Sequence, residues 1–464
     1  MKNNKRNSAK YYLLLLIIII PSVLLLSTLS SPALKDFWFD FLGSSEIIYV
    51  VPVLLMLLIG CVFTMIRIVF KYRKKEKARR KKNNLVMPKT EIPEEKPEEE
   101  KEVNTESRFY MLTETDRIMA NAKEEGFNNE INLKEFCERF RAFSASKLKL
   151  YYDERDIRRF IASLTVSHII IMQGMSGTGK TSLAYAFGEF LDNSSVIVPI
   201  QPMWKERTDL VGYYNEFTKK FNETTLLQKM YEANYSKQIY VTVLDEMNIA
   251  RVEYYFAEFL SLLEIPNPEG RYIDVVTDKW DNDPKLLKEG QLKLPENMWF
   301  IGTANNDDST FAISDKVYDR AMIMNLDKKT HVFYADETKS EKISYQRFTE
   351  LVKRAKKEYA ITGRKLRQVK ELDKYLITNF HITFGNRIMK QLKDYVATYV
   401  ACGGTEEEAV DDIIAKKIMR KLETQNPVYV RNSIDGLCSF IDEVFGAEKM
   451  LITKEYLRHL ERTI

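Results

Sequence analysis

The octapeptide GMSGTGKT at residues 174–181 constrains this chain more than any other feature. It fits the pattern G-x-x-x-x-G-K-[ST], with Gly174, Gly179, Lys180 and Thr181 at the fixed positions. The apolar run HIIIM before it reads as a strand, and SLAYAFGEFL after it reads as a helix. In that order, backbone N–H groups turn toward a polyphosphate and a helix N-terminus favours its negative charge. The predicted cradle comprises Gly174, Ser176, Gly177, Thr178, Gly179, Lys180, Thr181 and Ser182. Lys180 is expected to reach the β- and γ-phosphates, and Thr181 to ligate Mg²⁺. A glycine-rich turn that only links strand to helix would not need lysine and threonine in register.

A second fixed point is YVTVLDE at residues 240–246. Apolar and β-branched residues lead into two acids, as in a buried parallel strand ending at the sheet edge where α/β proteins bind ligands. Acids at a strand end can be plain helix caps. Downstream of a phosphate loop, Asp245 is expected to hold Mg²⁺ through water, and Glu246 to orient and deprotonate the attacking water.

Charge is unevenly distributed. The net charge is +4, yet residues 1–82 carry 15 Lys+Arg against 4 Asp+Glu, leaving 55 basic and 62 acidic residues for the rest. The body therefore gives no bulk electrostatic case for nucleic acid, although a local basic stripe is not excluded by this count. The four cysteines, Cys61, Cys137, Cys402 and Cys438, form no C-x-x-C pair, which argues against a disulfide framework or zinc site.

Two apolar stretches, 11–29 and 47–70, each have the length that spans a bilayer, about 20 residues. Lysines and arginines precede the first and follow the second, and the connection SPALKDFWFDFLGSS holds a single Lys. Positive-inside logic predicts a multi-pass anchor in the cell (inner) membrane, with both termini and the nucleotide site in the cytoplasm and lipid contacts through residues 11–82. A cleaved signal peptide is the competing reading of the first stretch, but no convincing A-x-A site follows it.

The expected organisation is a two-span hairpin (1–75), a charged disordered tether rich in Pro and Glu (76–107), a small helical lead-in (108–150), an α/β nucleotide-binding domain (151–330) and a helical lid with C-terminal helices (331–464). Candidate strands are 168–173, 195–200, 239–244, 298–303 and 321–326. A long, one-sided apolar helix is expected after Glu246, and a hairpin or insert over 266–293. Beyond residue 330, helices are expected at 345–359, 366–380, 387–401, 406–422, 433–445 and 454–462.

Together these features resemble the AAA+ ATPases. More narrowly, residues 150–425 are similar to the McrB/MoxR/dynein-related branch, through LDEMNIARVEYYFAEFLSLLE, FIGTANNDDSTFAISDKVYDRA and FGNRIMKQLKDYV. The resemblance implies a three-layer parallel-sheet P-loop NTPase domain with an all-helical lid. It implies Asn305 as the first-sensor residue between γ-phosphate and water, with Asn306 as the alternative. It implies Arg320 as an arginine finger given to a neighbouring subunit, although the family often shows consecutive arginines where this chain has Asp319-Arg320-Ala321. Arg387 matches the second sensor, reaching from the lid to the phosphates. Asn248 and Arg251 are candidates for a subunit-interface network. Trp204 and Lys205 in QPMWK would either line a central pore or pack beneath Tyr213 and Tyr214.

The resemblance further implies a homo-oligomeric ring that hydrolyses ATP, the family default, or GTP, which some McrB relatives use. Its partner would be a separate effector, as in McrBC-like anti-phage systems. The other readings are a MoxR-like chaperone remodelling a membrane protein complex and a nucleotide-gated scaffold.

Overall fold

A computed structural model of the chain describes residues 107–122, 126–128, 130–305, 310–327 and 330–463. The two expected membrane spans, their basic flanks and nearly all of the tether lie outside the described residues. Among the described residues, no helix is long and apolar enough to cross a membrane.

Helices α1 (Met111–Ala120), α2 (Leu133–Leu148) and α3 (Glu154–Leu164) come first. Then follow β1 (Ile169–Gln173), α4 (Lys180–Phe190), β2 (Val196–Pro199), α5 (Arg207–Val211), β3 (Gly212–Asn215), β4 (Lys220–Glu223), α6 (Thr225–Ala233) and β5 (Tyr240–Asp245). A 3-10 turn (Met247–Ile249) leads to α7 (Val252–Tyr255) and α8 (Ala257–Leu262), then β6 (Tyr272–Asp274), β7 (Gln291–Lys293), β8 (Met298–Ala304), α9 (Asp315–Arg320) and β9 (Met322–Asn325). The C-terminal part holds α10 (Tyr345–Glu358), α11 (Gly363–Phe380), α12 (Asn386–Ala401) and α13 (Glu406–Ile413). A π-helical turn (Ile414–Ile418), a 3-10 turn (Met419–Thr424), α14 (Pro427–Phe445) and α15 (Leu451–Thr463) complete it.

Five strands form one sheet in the order β2-β5-β8-β1-β9, and every pairing in it is parallel. The central strands are mostly apolar and buried along nearly their whole length because both faces are covered. Alternation sorts their side chains: Ile170, Met172, Val241, Val243 and Ile301 enter one core, while Ile169, Ile171, Leu244, Met298 and Phe300 enter the other. The first core also contains Phe136 and Phe140 of α2, Phe187 and Phe190 of α4, and Leu392 and Tyr395 of α12. The lead-in helices are thus built into the α/β body rather than standing apart from it.

All five expected strands are present, and the insert is the two-stranded hairpin β6–β7. Two helical expectations need correction. The run after Glu246 is not one long helix. It breaks at Phe256 (φ −108°, ψ 5°), whose ring stacks on Phe259 at 4.9 Å and meets Phe300 edge-on at 5.3 Å. Packing of the aromatic cluster on β8 overrides local helix propensity there. The run 406–422 is not uniform either, because it passes from α- to π- to 3-10-helix.

Candidate functional site

Parallel register brings three strand ends to one edge. Gln173 lies beside Ala304, Met172 beside Thr303, and Leu244 beside Gly302. The segments leaving those ends are the glycine loop, the Asp245-Glu246 pair and the GTAN turn. This is the crevice at the carboxyl ends of the strands where such sheets take ligands.

The loop is a backbone device. Gly174, Gly177 and Gly179 have φ of +141°, +78° and +92°, values that side-chain-bearing residues rarely adopt. A Cβ on Gly174 would lie 2.4 Å from the Leu326 carbonyl oxygen, so the loop begins pressed against the end of β9. At Gly177 nothing stands within 4 Å of that position, which leaves the middle of the loop open. Gly179 is the N-cap of α4 and offers no side-chain acceptor. The first-turn N–H groups therefore keep their capacity for an anion.

Lys180 is 7% exposed, and its Nζ donates to the carbonyls of Gly174 and Met175, each at 2.8 Å. Burial lowers its pKa, while the charges of Asp327, Asp245 and Glu246 oppose that shift. The ammonium is thus folded onto its own loop, with three carboxylates of the crevice in electrostatic range.

Asp245 is the hub. Its Oδ1 accepts from the Thr181 hydroxyl at 2.7 Å and the Thr303 hydroxyl at 2.9 Å. The Thr303 hydroxyl in turn accepts from the Glu246 N–H at 2.9 Å. Glu246 is held at φ 53°, ψ 46°, a left-handed conformation unusual for a non-glycine residue. That kink ends β5 and leaves the Glu246 side chain exposed at the mouth of the crevice. Gly302 makes room for the next side chain, Met247: a Cβ there would meet Met247 Sδ at 1.9 Å.

Asn305 follows β8 directly. Its carbonyl accepts from Asn248 Nδ2 at 2.8 Å and its N–H reaches Asn248 Oδ1 at 3.4 Å. Asn248 is buried and thereby fixes the backbone of Asn305. Asn306 lies outside the described residues. Arg251 is exposed, with its guanidinium 5.1 Å from the centre of the Phe311 ring. Trp204 packs edge-on against Tyr255 at 6.0 Å.

The two expected arginines meet each other. Arg320 Nη2 pairs with Glu264 Oε2 at 2.8 Å, and Arg387 Nη2 pairs with the other oxygen, Oε1, at 2.6 Å. Hydrogen bonding to Arg320, and then the charges of both arginines, hold the Glu264 carboxyl below its usual range. Among the described residues, neither arginine makes an ion pair or hydrogen bond with the 174–181 loop. Arg320 is therefore ion-paired within its own subunit, to Glu264 rather than to the adjacent Asp319.

Sequence reasoning assigned no role to Thr303, Glu264, Asp327 or Tyr152. Thr303 stands in the quoted GTANN segment, so alternation from the strand end could have found it. Tyr152 is buried, and its hydroxyl lies 3.3 Å from the Gly179 carbonyl. Nothing in its local sequence marks it.

Residues 169–321 match the family model of the AAA domain (dynein-related subfamily). The chain carries an AAA+ ATPase domain. Residues 337–463 match a second family, described as a domain of unknown function (DUF8727). Of curated proteins, the chain is similar to the "Type IV methyl-directed restriction enzyme EcoKMcrB subunit" of Escherichia coli (strain K12), at 24% identity over 181 residues. That alignment covers 36% of this chain and 36% of the relative, so the chain spans about a third of the length of the curated protein it matches. Within the chain, the AAA+ domain is thus similar to that of an McrB subunit. A full-length MCM homolog from Methanopyrus kandleri is a solved structure with a slight likeness, at a TM-score of 0.33 and 10% identity over 69% of this chain and 62% of that one.

Proposed function

We propose that this chain is a membrane-anchored AAA+ NTPase that binds ATP or GTP with Mg²⁺. It hydrolyses the nucleotide as a ring of identical subunits, and so drives or gates a separate effector. The single observation that carries the reading is the Asp245 hub, in which one carboxylate oxygen gathers the Thr181 and Thr303 hydroxyls beside a strained, exposed Glu246.

Those residues fit the expected ligands. The open loop at Gly177 and the uncapped start of α4 suit a polyphosphate. The oxygen donors Thr181 and Asp245 suit a hard cation. Mg²⁺, when bound, neutralises charge on the phosphate oxygens. Lys180 would leave the Gly174 and Met175 carbonyls and turn to the β- and γ-phosphates. Glu246 would take the proton of the attacking water, and Thr303 would keep that carboxylate's backbone in place. Asn305, anchored by Asn248, would hold the water on its other side. Arg320 would come from the neighbouring subunit to the phosphoryl group in transfer.

Full-length protein in detergent should release phosphate from ATP or GTP only while Mg²⁺ is present. EDTA should abolish that release, and restored Mg²⁺ should recover it. No release from either nucleotide, in the ring or with lipid added, would defeat the reading.

The similarity to an McrB subunit supports an effector of the restriction type, and the Lys/Arg flanks of stretches 11–29 and 47–70 support the anchor. A reporter active only outside the membrane should work when fused near Gly43 and fail when fused at Ile464. Activity at the Ile464 fusion would refute a cytoplasmic NTPase.

A further inference from the structure

Arg320 ends a very short helix, α9, and Ala321 after it is already extended at ψ 157°. One and a half turns cannot hold a terminal side chain steady, and the last carbonyls of such a helix lack internal partners. Those carbonyls are claimed by the C-terminal part of the chain. Lys417 is 4% exposed, and its Nζ donates to the carbonyls of Tyr318 at 2.6 Å, Asp319 at 3.3 Å and Ala321 at 2.6 Å. The three acceptors bracket Arg320 on both sides. A cation is also favoured at the negative end of a helix.

The surrounding contacts close the clamp. The Arg420 guanidinium lies 3.7 Å from the centre of the Tyr318 ring and pairs with Asp315 at the start of α9. Gln391 reaches the Asp319 carbonyl, and Gln173, the last residue of β1 before the glycine loop, donates to the Tyr318 hydroxyl. Lys417 is delivered by the π-helical turn Ile414–Ile418. The widened turn lets two consecutive lysines be buried with different partners: Lys416 pairs with Asp412 at 2.7 Å, and Lys417 goes to α9. Such turns are rare and often accompany functional sites. Burial lowers the Lys417 pKa to about 7, with the charge of Asp319 opposing and those of Arg420, Lys421 and Arg387 assisting. The three carbonyl oxygens favour the protonated form against that loss of solvent.

We infer that Lys417 is the positioning residue for Arg320, making delivery of the arginine depend on the C-terminal helical segment. This rests on the reading of Arg320 as the residue that completes a neighbour's site.

The test uses full-length Lys417→Met, Arg320→Ala and the double variant, with hydrolysis and nucleotide affinity measured on each. Lys417→Met should lower kcat about 10²-fold, the scale expected for a displaced catalytic group, with KM and nucleotide affinity near wild type. The double variant should be no slower than Arg320→Ala alone, because Lys417 acts only through that arginine. Lys417→Met mixed with Glu246→Gln should regain hydrolysis, since its own pocket is intact and only its donated arginine is misplaced. A merely structural role would weaken nucleotide affinity and add to the Arg320→Ala loss.

If Lys417→Met does not fold, Arg420→Gln decides by the same three readouts, since it loosens the same helix from its other end. Wild-type kcat in the folded variant, or a double variant slower than Arg320→Ala, would overturn the assignment. Full activity of Arg320→Ala would instead overturn the arginine reading, and this inference with it.

Discussion

Glu246→Gln is expected to bind nucleotide and Mg²⁺ as wild type does and to hydrolyse about 10²- to 10⁴-fold more slowly, the range for loss of a general base. The substitution keeps the shape of the side chain. It also keeps the backbone bond to Thr303, because the Glu246 N–H is the donor. What it removes is the carboxylate's ability to accept a proton at the mouth of the crevice. Lys180→Ala is the contrasting variant. It removes the ammonium held at 2.8 Å from two loop carbonyls, so it should weaken nucleotide binding itself. Steady-state hydrolysis together with equilibrium binding on both variants separates the two roles. Near-normal turnover in Glu246→Gln would remove it as the base, and unchanged affinity in Lys180→Ala would remove the lysine from the phosphates.

The nucleotide crevice was legible because its chemistry is contiguous in the chain. A glycine loop between an apolar run and a helix, and two acids ending another apolar run, each declare themselves locally. Parallel pairing then places both at one edge. The arginine edge was legible only in part. Arg320 and Arg387 stand out by resemblance, but their shared partner Glu264 is an ordinary acid at the end of an apolar run. Only tertiary packing brings the three together. Lys417 was illegible for a different reason. The stretch AKKIMRKL looks like a solvated basic face, yet Lys416 and Lys417 are 7% and 4% exposed. The π-turn that buries both has no local sequence signature, and the acceptors of Lys417 are backbone carbonyls, which no residue pattern advertises.

Arg320→Ala is expected to cost hydrolysis about 10³-fold or more while leaving nucleotide affinity almost unchanged. Lys180 can neutralise only part of the charge on the transferring phosphoryl group, and a further cation is needed at the γ-phosphate. Arg320 makes no contact with its own subunit's loop among the described residues. Its guanidinium is turned to Glu264, and Lys417 and Arg420 brace the helix behind it. That geometry keeps it off its own subunit's loop, as a group held for an adjacent subunit requires. Glu264 would keep it ordered until a phosphate of higher charge density competes for it. A lone subunit would then bind nucleotide without consuming it, and assembly would switch hydrolysis on.

The most direct measurement mixes two inactive full-length proteins, Arg320→Ala and Glu246→Gln, with subunit exchange verified independently, and follows hydrolysis against mixing ratio. At some interfaces an intact Glu246 crevice then faces an intact Arg320 from its neighbour. The account predicts that hydrolysis returns at intermediate ratios and vanishes at both extremes. Proven exchange with no recovery at any ratio would contradict a site completed between subunits.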